Sequence, residues 1–129
     1  APMDMYRVSY IHFGAAKTWY SIPPAEAAAV ERAATEHYPD LAKRCDHPLR
    51  HCSSLLNPQL LSRTAAGLGS MKQQGSGTVV QTVQKAGEFI VLLPAAFHFG
   101  FTHGYNCSES IDIAPKAWVP AGASANVCR

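Results

Sequence analysis

Stretches in which apolar and polar residues alternate begin close to the start of the chain and predict β-strands. The first covers residues 5–13, and four of its side chains fall on one face at a period of two: Tyr6, Val8, Tyr10 and His12. The second covers residues 17–22, where Lys17, Trp19 and Ser21 share a face. Because only a glycine and two alanines separate these strands, we expect them to form a hairpin.

Helical spacing replaces the alternation after the second strand. Pro24 opens a predicted helix that runs to Tyr38 and ends at Pro39, since proline is favoured at the first helical position and cannot continue a helix. Further along, Asn57 as the N-cap and Pro58 as the first residue predict a short helix that ends near residue 67.

The rest of the chain predicts a mainly β fold. Residues 65–78 lack periodicity and are rich in Gly, Ser and Gln, so we interpret them as a mobile insertion loop. Five short strands are expected beyond it, at residues 79–83, 88–93, 97–103, 107–113 and 117–119. Such strands favour a sandwich or barrel over alternating strands and helices. Within residues 97–103, the alternation places His98 opposite three phenylalanines.

Composition and charge narrow the function classes. Of 129 residues, 47% are hydrophobic and only 16% are charged. The charged fraction lies below the roughly 25% of typical soluble domains, which indicates that an unusually large share of the chain is buried, covers itself or is covered by something else. A net charge of +2 from scattered basic residues argues against nucleic-acid binding. We expect no membrane span, and with four cysteines and no recognisable secretory signal we favour a reducing compartment.

Three groups of residues are candidates for chemistry. His98 is consistent with a hydrogen-bonded structural histidine or with a metal ligand. Cys45, His51 and the distant Cys128 are of the types that bind zinc, although buried thiols beside an exposed histidine would give the same spacing. Lys17 either needs an anionic partner, which a ligand carboxylate would supply, or extends into solvent at the end of its strand.

Three motifs then occur in an order that points to one family. YRVSYIHFGAAKTWYSIPP (residues 6–24) resembles the YSxNYLHFGxPKxWYxIPP run of the JmjC histone lysine demethylases, and GEFIVLLPAAFHFGFTHGYNCSES (residues 87–110) resembles their GEFxxxxPxxYHxGFNHGxNCxES run. Between them, RCDHPLRHCSSLLNPQLL is similar to the family's Cys-x5-His zinc segment and the helix after it. The resemblance is closest to the subgroup with a Cys3His zinc site.

The resemblance implies a double-stranded β-helix, a cupin-like jelly-roll that is incomplete at its N-terminus. Residues 1–129 would then be the C-terminal major part of a JmjC catalytic domain. The implied cofactors are Fe(II), 2-oxoglutarate and Zn(II), and the implied substrate is a methylated histone tail, whose N-methyl group is hydroxylated and lost as formaldehyde. A nuclear location and flanking domains are also implied, with no direct nucleic-acid or membrane binding by this segment.

Individual residues match the family's motifs. His98 corresponds to an iron-binding histidine, and Lys17 to the lysine that pairs with the distal carboxylate of 2-oxoglutarate. The remaining matches are Trp19 in the wall of that pocket, Ser9 in place of an asparagine beside 2-oxoglutarate, Cys45, His51 and Cys128 as zinc ligands, and Ser110 and Asp112 in the substrate pocket.

The chain also departs from the family pattern. Counting back from Tyr6 puts Ala1 where the iron-binding carboxylate is expected, with the first iron histidine before it, and the fourth zinc cysteine would follow Arg129. One histidine is a poor site for Fe(II), so we expect this chain alone to be inactive. Two hypotheses therefore remain. The parent protein is an active demethylase, or it is an inactive JmjC pseudoenzyme that binds chromatin or acts as a scaffold. A third hypothesis, a cupin-like sugar-binding or other protein that does not act on chromatin, is weaker, because such a protein would have no need for the zinc segment.

Overall fold

The computed structural model describes residues 4–43, 48–50 and 79–125 of the chain. These ranges contain six strands: β1 (Tyr6–Gly14), β2 (Lys17–Ile22), β3 (Val80–Gln84), β4 (Phe89–Leu92), β5 (Phe97–Thr102) and β6 (Asn106–Ile113). They also contain three α-helices: α1 (Ala27–His37), α2 (Pro39–Ala42) and α3 (Val119–Ala123). Short 3-10 turns lie at Pro24–Glu26, Pro48–Arg50 and Lys116–Trp118. The predicted helix at residues 57–67 and the predicted loop at residues 65–78 lie outside the described residues.

The six strands form two antiparallel sheets of three strands, in the orders β4-β1-β6 and β3-β2-β5. Neighbouring strands along the chain therefore alternate between the sheets, except that β2 and β3 pair with each other. This arrangement confirms the predicted mainly β class with a few helices and is consistent with part of a cupin-like jelly-roll.

The predicted hairpin between β1 and β2 is wrong, because the two strands lie in different sheets. Their connection bonds to the β5–β6 loop instead of folding back: Ala15 N donates to Tyr105 O at 2.8 Å, and His103 N donates to Ala16 O at 2.9 Å. Gly14 has φ 99°, and a Cβ there would lie 2.5 Å from Tyr105 O, so this crossing requires glycine.

Helix α1 covers the outer face of the β3-β2-β5 sheet. Val30 and Ala34 of α1 form a buried core with Ile22, surrounded by Tyr38, Leu49, Val79, Phe97 and Phe99. Burying each valine or isoleucine contributes about 1.5–3 kcal/mol, which fixes this face of the sheet against the helix. Helix α1 ends at His37, just before Pro39 as predicted, and Pro39 begins the separate short helix α2.

The strand predicted at residues 117–119 is also wrong. Those residues belong to the turn Lys116–Trp118 and to the first position of α3. Pro120 lies in the first turn of α3, where its missing N–H is not needed, whereas inside a sheet it would leave a hydrogen bond unmade.

The outer face of the β4-β1-β6 sheet is apolar and exposed. Phe89, Val91, Ile111 and Ile113 are exposed there, and the strand register places Val8 between Val91 and Ile111. This face agrees with the low charge content of the sequence. None of the helices in the described ranges is long and apolar enough to cross a membrane.

Candidate functional site

The face of the β3-β2-β5 sheet that points away from α1 is polar and brings together three predicted site residues. Lys17 and Trp19 lie on it, and His98 joins them because β5 pairs it with Ser21. Phe97 and Phe99 lie on the opposite face, against α1, which confirms the predicted orientation of His98. We call the surface formed by Lys17, Trp19, His98 and Gln84 the inner surface; Gln84 belongs to it because β3 pairs it with Lys17.

Lys17 is a half-buried cation. Its Nζ lies 3.9 Å from the centroid of the Trp19 ring, a distance at which the ring face attracts a positive charge. No carboxylate forms an ion pair with it among the residues that the structure describes. Burial, and then the positive charge of Arg7, lower the pKa of Lys17 below the ordinary value. Such a lysine is well suited to bind an anion from solution.

His98 has one ring nitrogen committed to the backbone. Nδ1 lies 3.2 Å from the carbonyl oxygen of Ala96, and since a carbonyl only accepts, Nδ1 carries the hydrogen and donates it. Burial lowers the pKa of His98, although the Ala96 hydrogen bond acts in the opposite direction. Nε2 of a neutral ring with this tautomer has a free lone pair, which is the state in which histidine binds a metal ion.

Ser9 lies on β1, in the other sheet, and is only 1% exposed. Its hydroxyl oxygen is buried without a hydrogen-bond partner among the residues that the structure describes, and its backbone oxygen accepts from Gln84 Nε2 at 3.1 Å. A buried hydroxyl with no partner is uncommon, and it would be satisfied by a polar ligand or water. The hydrogen bond from Gln84 places Ser9 beside the inner surface.

Ser110 and Asp112 lie on β6 and share a face with Ser9. The register pairs Ser110 with Ser9 and Asp112 with Arg7, and residues directly opposite each other in a sheet point to the same side. The Asp112 carboxylate lies 3.4 Å from Arg7 Nε, so the charge at this edge is balanced within the protein. The two predicted substrate residues are thus together, on the wall opposite Lys17.

Gln84 connects the two walls, although it was not among the predicted site residues. Its side-chain oxygen accepts from Trp19 Nε1 at 2.8 Å, while its amide nitrogen bonds to Ser9 on the other sheet. The strand predicted at residues 79–83 ended one residue before Gln84, and the strand pairing that brings Gln84 next to Trp19 could not be read from the sequence. Arg7 was missed for the same reason.

Metal ligation is only partly represented in the described ranges. They contain no group of three or more His, Cys, Asp or Glu side chains arranged to hold a metal ion. The predicted zinc ligands Cys45, His51 and Cys128 lie outside those ranges, as does Ala1. Of the predicted metal ligands, His98 is the one that lies within the described ranges.

A cupin-like jelly-roll whose inner surface carries a half-buried lysine, with no carboxylate partner in the described ranges, and a histidine is typical of proteins that bind a small ligand between their sheets. Residues 2–113 match the family described as JmjC domain, hydroxylase, and the chain belongs to this family.

Curated relatives agree with that membership. The chain is 36% identical over 126 residues to lysine-specific demethylase 4D of Rattus norvegicus, covering 98% of this chain and 22% of the relative. The same identity and chain coverage hold for the probable lysine-specific demethylase 4F of Homo sapiens, of which 18% is covered. The putative lysine-specific demethylase JMJ16 of Arabidopsis thaliana is 35% identical over 119 residues, covering 92% of this chain and 9% of the relative. The chain thus spans about a fifth or less of these relatives.

Proposed function

We propose that this chain forms the 2-oxoglutarate-binding part of a JmjC histone lysine demethylase, an Fe(II)-dependent dioxygenase. The observation that carries the proposal is the half-buried ammonium of Lys17, which has no carboxylate partner among the described residues and shares the inner surface with His98. The names of the relatives, lysine-specific demethylases, support methylated lysine as the substrate class.

The inner surface suits a small dicarboxylate such as 2-oxoglutarate. Lys17 would donate to the distal carboxylate, and the Trp19 ring, which is 6% exposed, would form the adjacent wall and exclude water. Ser9 would offer to the same ligand its buried hydroxyl, which has no hydrogen-bond partner within the described part of the chain. A hydrogen bond between charged groups contributes about 1.5–3 kcal/mol, so Lys17 would supply a large part of the affinity.

His98 fits the role of one iron ligand, because Nδ1 donates to Ala96 and leaves Nε2 free. Bound iron would supply the oxygen activation that hydroxylates the N-methyl group before formaldehyde is lost. The resemblance puts Ala1, whose methyl side chain cannot bind a metal ion, where the family has its carboxylate ligand to iron. We therefore propose that the 129-residue chain alone does not turn over 2-oxoglutarate.

The substrate and zinc assignments extend this proposal. Ser110 and Asp112, opposite Lys17, would line the pocket for the methylated lysine of a histone tail, and the protein would act in the nucleus. Cys45, His51 and Cys128 would hold a structural Zn(II), since cysteine and histidine are the ligands that tetrahedral zinc prefers.

Calorimetric titration of 2-oxoglutarate into the chain, without oxygen and with or without added Fe(II), tests the binding site. Lys17→Ala should weaken binding roughly 10- to 150-fold, which is the equivalent of the hydrogen bond between charged groups. Lys116→Ala, which removes the same charge from an exposed turn, is the matched control and should bind as the wild type does. Equal affinities for the two variants would refute the assignment of Lys17.

A second assay separates the enzyme from the pseudoenzyme. Formaldehyde release from methylated histone peptides is measured for the full-length protein, with and without Fe(II). Iron-dependent release supports the demethylase, whereas binding of 2-oxoglutarate without release identifies the chromatin-binding or scaffold alternative. Conversion of 2-oxoglutarate to succinate by the 129-residue chain would show that the proposed inactivity is wrong.

A further inference from the structure

Gln84, at the end of β3, is the most completely buried polar side chain among the described residues, with an exposed fraction of 0%. Both N–H groups of its amide donate hydrogen bonds. Nε2 donates to the backbone oxygen of Ser9 at 3.1 Å and to that of Glu88 at 2.9 Å. Its Oε1 accepts from the indole Nε1 of Trp19 at 2.8 Å.

These partners permit only one orientation of the amide. The two backbone oxygens can only accept and the indole N–H can only donate, so turning the amide by 180° would place donor against donor and acceptor against acceptor. A buried polar group that loses its partner costs about 1–3 kcal/mol, which makes the reversed state unfavourable at three contacts at once. Gln84 is therefore held rigidly by two strands and a turn.

The orientation of Trp19 depends on this amide. The indole Nε1 is the only polar atom of the side chain, and the bond to Gln84 fixes the rotation of the ring about its χ angles. The ring in turn carries Lys17, whose Nζ lies 3.9 Å from the ring centroid. A ring turned away from its present plane would leave the ammonium without its contact and would change the wall next to the ligand.

We propose that Gln84 is a positioning residue of the 2-oxoglutarate site, which orients the Trp19 indole and through it places the Lys17 ammonium. Because the Gln84 side chain is fully buried, it acts without contact with the ligand, through the Trp19 ring. This inference rests on the proposed function for its ligand, but the link from Gln84 to Trp19 stands on the hydrogen bond itself.

A double-mutant cycle on 2-oxoglutarate affinity tests the proposal. Gln84→Met keeps the length of the side chain and removes all three hydrogen bonds, while Trp19→Phe removes the N–H that Gln84 holds. If Gln84 acts through Trp19, the double variant binds about as weakly as Trp19→Phe alone, because coupled residues give non-additive effects. We expect each single variant to weaken binding about tenfold, and the double variant by about the same factor rather than a hundredfold.

Gln81→Met is the matched control, since Gln81 lies on the same strand but opposite Tyr20, on the other face of the sheet. It should leave the affinity unchanged. Melting temperatures are measured for all variants, and the titrations are made below the lowest of them. A Gln84→Met variant that is folded and binds 2-oxoglutarate as tightly as the wild type would overturn the proposal, as would independent effects that multiply in the double variant.

A spectroscopic arm separates this inference from the proposed function. In a Trp118→Phe background, Trp19 is the only tryptophan, and its steady-state fluorescence anisotropy reports how firmly the ring is held. Gln84→Met should lower the anisotropy, and Gln81→Met should not. If the wild-type chain binds no 2-oxoglutarate, the proposed function fails while this arm still decides whether Gln84 orients Trp19; an unchanged anisotropy contradicts it.

Discussion

Substitution of Gly100 tests the geometry of the inner surface, because β5 approaches β2 closely at this residue. It lies on β5 directly opposite Trp19, and a Cβ at this position would overlap the backbone oxygen of Thr18. A backbone atom in a central strand cannot move aside as a flexible side chain does. Gly100→Ala must therefore push β5 away from β2 or distort the pairing of both strands.

The expected cost follows from that contact. Overpacking in a protein interior typically costs 1–3 kcal/mol, and a clash with backbone places this site near the upper end, at about 2–3 kcal/mol. For a domain of this size, that corresponds to a fall in melting temperature of roughly 8–12 °C. Because the displaced strand lies opposite Trp19, the affinity for 2-oxoglutarate should fall as well.

Differential scanning calorimetry of Gly100→Ala and Gly104→Ala measures the effect. Gly104 is exposed, and a Cβ there would meet only the Cβ of Ala15, at 3.3 Å. This second variant should lose less than about 1 kcal/mol, as surface substitutions usually do. Equal melting temperatures for the two variants would refute the reasoning from the close approach of β2 and β5.

Two further predictions concern charge and metal. Only the protonated form of Lys17 binds a carboxylate, so affinity for 2-oxoglutarate should be highest below the pKa of Lys17 and fall as the pH rises through it. Because that pKa is lowered, the fall should begin below the ordinary lysine value of 10.5. Lys17→Arg should bind independently of pH over this range, because arginine stays protonated. A pH profile that is the same for both proteins would count against Lys17 as the anion ligand. In the full domain, Cys45→Ala or His51→Ala should release zinc and lower the melting temperature, because structural zinc contributes folding free energy directly. The control variant Cys107→Ala, which replaces a free cysteine, should retain the metal. Zinc content by atomic absorption decides between these outcomes, and a full zinc complement in all three variants would contradict the assignment.

Local alternation was enough to predict which way most side chains point. The period of two placed Lys17 and Trp19 on one face and His98 opposite the phenylalanines, and the strand register confirms both. These predictions succeed because side-chain direction in a strand depends only on position parity. The motif resemblance added the family, which the match over residues 2–113 supports.

Pairing between distant strands could not be predicted in the same way. The short link after Gly14 looks like a hairpin turn, yet its backbone groups bond to the loop that contains His103 and Tyr105, about ninety residues away in sequence. Gln84 illustrates the same limit, since its three partners come from β1, β2 and the β3–β4 turn. At residues 117–119, an apolar run suggested a strand, but Pro120 favours the start of a helix.

The central claim is that the inner surface beside Lys17 and Trp19 binds 2-oxoglutarate. Two-dimensional proton–nitrogen NMR of the chain tests it directly, because the two tryptophans give two separate indole N–H signals. Addition of 2-oxoglutarate should shift the Trp19 signal in proportion to saturation, leave that of Trp118 unchanged, and have no such effect in Lys17→Ala at the same concentration. A Trp19 signal that does not move at saturating 2-oxoglutarate, or that moves equally in Lys17→Ala, would contradict the account.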